Sequence, residues 1–398
     1  MKRIAIVAIA ALALLFPEPA DAAAKVGQSC KKVNQSTTAN GNKLICTKSG
    51  KKLTWRASPT PQLEVTSSSV AKLGTRCFFS GSHVGLLEGP AQCKKENGQQ
   101  IWSLISKEND SVASRAYRYA LEKYLAAPEG NLVMDIRMDP NTPEWGKKIE
   151  KGMYAGARFW GTSPVGSTPV IALISADLNW WPKQLKELNY SGTDEHLKRI
   201  TNFTCQAGFH GGPNPFWTFS FREANCLTNV GFKQVAAHEY THYAQSLLAG
   251  TTKDQKPRVP WMEEGLASFI GGALGLVSGM GADLRTNWAT DLRGNLVEVD
   301  FFSIDEKSIY ESRKWGAIYP VGAIATEGLV ALIGMDGVLK YYSGIKDGLS
   351  ADQAMVSSFG LPVSKAARLL DGYVTSVSSM NEWSLEKLQS QWEEAKKS

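Results

Sequence analysis

The stretch Phe232-Lys-Gln-Val-Ala-Ala-His238-Glu239-Tyr240-Thr-His242-Tyr243-Ala-Gln245-Ser-Leu-Leu-Ala-Gly250 reads as one helix, closed by Gly250. His238 and His242 stand four apart, so their imidazoles leave the same helix face one turn from each other. Two ring nitrogens so placed suit one shared metal ion at roughly 2.0–2.1 Å each. Glu239 follows the first histidine and is the carboxylate beside that ion and its water, where it can act as a general base.

A metal site that does chemistry takes three protein ligands and leaves a fourth position for water. The third ligand has to come from the next element. Pro257 and Pro260 introduce Trp261-Met-Glu263-Glu264-Gly265-Leu-Ala-Ser268-Phe-Ile270, a second helix whose first turn returns to the first. The pair H-E-x-x-H and W-x-x-E-G-x-A resembles the gluzincin metallopeptidases, in the branch with thermolysin-like and aminopeptidase-like domains. In that family the glutamate ligand directly precedes the Gly of the second motif. The resemblance therefore implies Zn2+ held by His238, His242 and Glu264, with Glu239 as general base and a peptide or protein as substrate.

The resemblance continues at Ile318-Tyr319-Pro-Val-Gly322, Leu332-Ile-Gly334 and Leu339-Lys-Tyr341. A Tyr before x-x-Gly in these families donates a hydrogen bond to the oxyanion, which implies that role for Tyr319. Three departures stand beside it. Ser268 occupies the place of the Asp that orients the first histidine in thermolysin-like enzymes, so His238 has no assigned partner. The G-x-M-E-N strand motif of the aminopeptidases is absent. The H-x-x-G-x-x-H extension of metzincins is also absent, since Gln245 and Leu248 hold those positions. Tyr240 and Tyr243 read as packing residues, and His210 as an exposed histidine in a Gly-rich loop. The stretch with Gly271-Gly272 and Gly279–Gly281 reads either as a flexible edge of the cleft or as a loose helix end.

Upstream of the two motifs the pattern changes. Asn131–Met138 alternates like a strand, and Pro143–Trp160 reads as an amphipathic helix. Pro169–Ile174 reads as a short buried strand, with helical stretches following at Trp181–Leu188 and Asp194–Asn202. Gly208–Pro215 reads as a turn-rich loop and Trp217–Phe221 as another strand. From Val230 onward the pattern is mostly helical. Strands first and helices after define an α+β class. The resemblance makes it a zincin-type domain over 114–398.

The N-terminus sets the expected compartment. Lys2 and Arg3, the thirteen apolar residues Ile4–Phe16 and Ala20-Asp21-Ala22 read as a secretory signal peptide over 1–22. As a helix that apolar stretch spans only about 20 Å, short of a hydrocarbon core of about 30 Å. No later segment reads as a membrane span. The product is expected to be secreted or associated with the cell surface.

A duplication follows. Lys25, Gly27, Cys30, Cys46, Lys48 and Trp55 all recur 47 residues later, as Lys72, Gly74, Cys77, Cys93, Lys95 and Trp102. The expected units are a module at 23–57, a linker at 58–71 and a second module at 72–108, stapled by Cys30–Cys46 and Cys77–Cys93. Cys205–Cys226 is the remaining pair. The module spacing is similar to a small repeat of secreted actinobacterial proteins, and reads either as a cell-wall or surface tether or as a structural spacer. The net charge of +6 over 398 residues, with no dense Lys/Arg run, speaks against nucleic acid as a partner. A reading from another class stays open: an exported surface-binding protein whose zincin domain is inactive.

Overall fold

The computed structural model describes residues 25, 28–32, 36–39, 42–49, 52–57, 73–76, 83–86, 89–106, 110–127, 134–142, 144–161, 170–210, 215–223, 226, 229–250, 259–277, 288, 292, 315–379 and 381–398. The expected signal peptide and the whole of the expected linker, 58–71, lie outside them. The chain divides into two compact units, Met1–Gln62 and Leu63–Ser398.

The first unit holds an antiparallel sheet of β1 (Ser36–Ala39), β2 (Asn42–Ser49) and β3 (Lys52–Ala57). Register sets Cys46 opposite Trp55, and both are buried. Cys46 is bonded to Cys30. Fewer than forty residues bury little core, so the staple supplies on the order of 3 kcal/mol by restricting the unfolded chain.

The second unit opens with the same sheet again. β4 (His83–Leu86), β5 (Gly89–Glu96) and β6 (Gln99–Leu104) repeat each strand of the first at the offset of 47, with Cys93 opposite Trp102. Asn97 and Gly98 both take positive φ, the two-residue hairpin turn that matches the twist of the flanking strands. Cys93 is disulfide-bonded, and its expected partner Cys77 lies outside the described residues. β4 and β5 pack on α1 (Val112–Ala126), which Ser111 caps by accepting from the Ser114 N–H at 3.0 Å.

A four-stranded sheet follows in the order β7-β8-β10-β9. β7 (Met134–Met138), β8 (Val170–Ile174) and β10 (Phe216–Phe221) are parallel, and α2 (Trp145–Trp160) connects the first two. α3 (Trp181–Glu187) and α4 (Thr193–Asn202) lie between β8 and β9 (Cys205–His210). β9 runs antiparallel to β10 at the edge, and Cys205–Cys226 ties its start to the chain beyond β10. This corrects the loop expected from Gly208: Gly208, Phe209 and His210 are strand residues. Pairing with the wholly buried β10 overrides their weak local preference.

The rest is helical: α5 (Asn229–Ala249), α6 (Pro260–Val277), α7 (Trp315–Lys346), α8 (Ala351–Phe359), α9 (Val363–Ser378) and α10 (Leu385–Lys397). Gly250 at φ 81° ends α5, as its sequence position predicts. α7 is broken at Gly334, where φ is 72°. The segment Ile318–Lys346 is long and apolar enough to cross a membrane, which corrects the expectation that no segment after the leader is. Its most apolar 18-residue window is 78% buried inside the protein, and the helix is packed by α1, α5, α6 and α8. Neighbours on several sides make such a core helix apolar all round.

Candidate metal centre

Three helix crossings build the site. α2 meets α5 at Gly156, where an added Cβ would lie 2.8 Å from the Cβ of Tyr240. α6 meets α5 at Gly271, whose Cβ would lie 2.8 Å from the Gln234 carbonyl oxygen and 3.4 Å from the Cβ of His238. Gly271 is therefore a close-packing position inside α6, and Gly272 packs the same way against Trp288. Neither a mobile cleft edge nor a loose helix end describes these two; Gly279–Gly281 lie outside the described residues. α6 meets α7 where Gly265 faces Gly322, with no room for a side chain on either.

Those crossings bring His238, His242 and Glu264 together, with one ligand atom from each within 4.8 Å of the others. The two Nε2 atoms are 3.1 Å apart, and Glu264 Oε2 is 3.3 Å from each. That oxygen is buried and has no well-formed hydrogen bond of its own. Three ligands at about 2.05 Å from a tetrahedral centre stand roughly 3.3 Å apart, so this triangle fits a small divalent cation. Glu263, the neighbouring carboxylate, is not part of the triangle; its backbone carbonyl accepts a hydrogen bond from Gln245 Nε2 at 2.9 Å.

Gln245 orients His242. With its Nε2 spent on a carbonyl, its Oε1 faces His242 Nδ1 at 2.8 Å. An amide oxygen only accepts, so Nδ1 carries a proton and Nε2 is the nitrogen turned to the cluster. Sequence reasoning passed over this role, although a residue three positions after His242 on a helix is its neighbour. Ser268, the residue in the Asp place, stands 3.4 Å from His238 Nδ1 and is the side chain the fold offers there.

The four-stranded sheet and α2 anchor the histidine helix. Trp217 Nε1 donates to the Glu239 carbonyl at 3.0 Å, and Trp160 Nε1 donates to Thr241 Oγ1 at 3.0 Å. Tyr240 and Tyr243 are buried against Trp217, Tyr240 stacked and Tyr243 edge-on.

Charge in the metal-free cluster is strongly coupled. Burial alone would push the Glu264 carboxyl up, but the facing imidazoles outweigh it and hold it well below the usual carboxylate range. Burial lowers His242, and the Glu264 and Glu239 carboxylates with Gln245 overcome this and raise it to about 10. Glu239 is buried, and desolvation raises its pKa against the opposing pull of His238 and His242. The Phe209 backbone on β9 hydrogen-bonds to it. Tyr319 is half-buried, its ring centroid 5.7 Å from that of His238.

Two further histidines lie elsewhere. His210 is part-buried between Tyr190 and Thr218, and His196 is buried with no hydrogen bond at either ring nitrogen. The exposed setting expected for His210 is thereby corrected, because β9 carries its ring onto Phe216, stacked at 4.5 Å. No protein family, curated protein or solved structure matches this chain.

Proposed function

We propose that this chain is an exported, zinc-dependent peptidase with a zincin-type domain. The observation that carries the reading is the His238–His242–Glu264 triangle with the buried carboxylate of Glu239 beside it. Two imidazoles and one carboxylate are a donor set that suits Zn2+ and leaves a fourth position open.

When bound, the ion polarises a carbonyl and acidifies water. Glu239 takes a proton from the attacking water as its oxygen adds to the peptide carbonyl carbon. It delivers that proton to the amine nitrogen as the C–N bond breaks, giving a carboxylic acid and a free amine. A carboxylate raised by burial is suited to both halves of that transfer. Tyr319 donates a hydrogen bond to the oxygen that gains negative charge.

The test sets the chain without its leader beside Glu239→Gln and measures zinc content and peptide-library cleavage. One zinc per chain in both, with cleavage by the parent alone, supports the peptidase. Zinc in both with cleavage by neither favours an inactive zincin domain on a surface-binding protein.

A further inference from the structure

The two N-terminal sheets are an internal control for charge. They share strand boundaries, register and a disulfide-bonded cysteine opposite a buried Trp. Their charges differ sharply. Lys25 to Ala57 contains eight Lys or Arg and no Asp or Glu, whereas Lys72 to Leu104 contains four and two. With +6 overall, the remainder of the chain carries a net −2 once that +8 is set aside.

The excess is located at six positions. Lys31, Lys32, Lys43, Lys51, Lys52 and Arg56 correspond, 47 residues on, to Phe78, Phe79, Pro90, Gly98, Gln99 and Ser103. The second copy forms the same sheet with uncharged residues there, so the fold does not require the cations. Concentrating eight like charges in one small unit costs self-repulsion, and a fold that gains nothing from them points to an external counter-charge.

We propose that the first module is a binding surface for a flexible linear polyanion. The four cations on its strands do not share one face of the sheet. Lys31, Lys32 and Lys52 are exposed. By register Lys43, Lys52 and Arg56 fall on one face, and Lys48 on the face of Cys46 and Trp55. A flat bilayer reaches one face at a time, while a flexible polymer can follow cations around both. Seven of the eight are Lys, a point charge that reads charge density rather than planar geometry. Trp55 is buried, so the module's aromatic residue is not presented for stacking bases, and single-stranded nucleic acid is disfavoured. The inference is independent of the metal site.

The test titrates full-length chain with long-chain polyphosphate by calorimetry at several salt concentrations. Binding should weaken on the order of a thousandfold between about 50 and 200 mM salt, through counterion release. Changing Lys31, Lys32, Lys43, Lys51, Lys52 and Arg56 together to Gln should weaken it more than about a hundredfold and flatten the salt dependence. Changing the five lysines to Arg should preserve binding, which separates charge loss from misfolding. Neutralising Lys72, Arg76, Lys94 and Lys95 in the second copy should change affinity less than about threefold. Equal losses from either copy would overturn the assignment. So would tighter binding to phosphatidylglycerol vesicles than to the polymer.

Discussion

Gly265 and Gly322 touch backbone to backbone: a Cβ on Gly322 would lie 2.8 Å from the Gly265 Cα and 2.5 Å from the Trp261 carbonyl oxygen. The contact holds α6 against α7 one residue from Glu264 and three from Tyr319. It therefore delivers a ligand and a tyrosine to the same place. Gly322→Ala must force the helices apart, and overpacking of this kind costs about 1–3 kcal/mol. The expected result is a lower midpoint in thermal unfolding together with weaker metal binding by chelator competition. A variant melting like the parent with unaltered affinity would show that the crossing does not position Glu264.

Gln245 bridges His242 Nδ1 and the Glu263 carbonyl. Gln245→Leu removes the acceptor that sets the tautomer of His242 and leaves a buried carbonyl without its donor. Loss of an outer partner of this kind lowers metal affinity about 10–100-fold. Competition titration with a zinc chelator measures it, and an unchanged dissociation constant would remove Gln245 from the site.

On the proposed reading, metal and proton compete at His242. Burial lowers its pKa, but the facing carboxylates and Gln245 raise it to about 10, so the metal-free site is protonated at pH 7. Binding should then release about one proton near neutrality, and affinity should rise with pH. The stability linked to the raised pKa runs the other way: it is full below 6.5 and lost as pH rises through about 10. Calorimetry in buffers of different ionisation enthalpy reads the proton count, and a count of zero would contradict the protonated cluster.

His196 and His210 give the opposite sign. Burial holds both at about 4, with Arg199 opposing the charge further and His196 adding to the effect on His210. The folded value lies below the unfolded 6.5, so stability is full above 6.5 and falls as pH drops toward 4. A shift of this size is worth about 3 kcal/mol per histidine. Neither nitrogen of His196 has a partner to lose, so His196→Phe should retain the neutral-pH melting midpoint and flatten the acid decline. Urea unfolding at pH 7, 5.5 and 4.5 tests this, and parallel declines in parent and variant would reject it.

What the chain determines by itself is what depends on near neighbours. The i, i+4 spacing of His238 and His242 places two imidazoles on one helix face wherever that helix sits, and Gly250 ends it for local steric reasons. The duplication shows as an offset because each module makes its own sheet. Choosing Glu264 over Glu263 needed a family resemblance, since both occupy the first turn of one helix. The tertiary structure decided the rest. Which glycines are conformational and which are contact points depends on what passes beside them, and Gly265, Gly271 and Gly322 lie against helices distant in the chain. The burial of His210 follows from strand pairing across β9 and β10, a long-range register that no local pattern around a Gly-rich segment encodes, and His196 is buried where α4 sets its ring against Trp181, Tyr190 and His210.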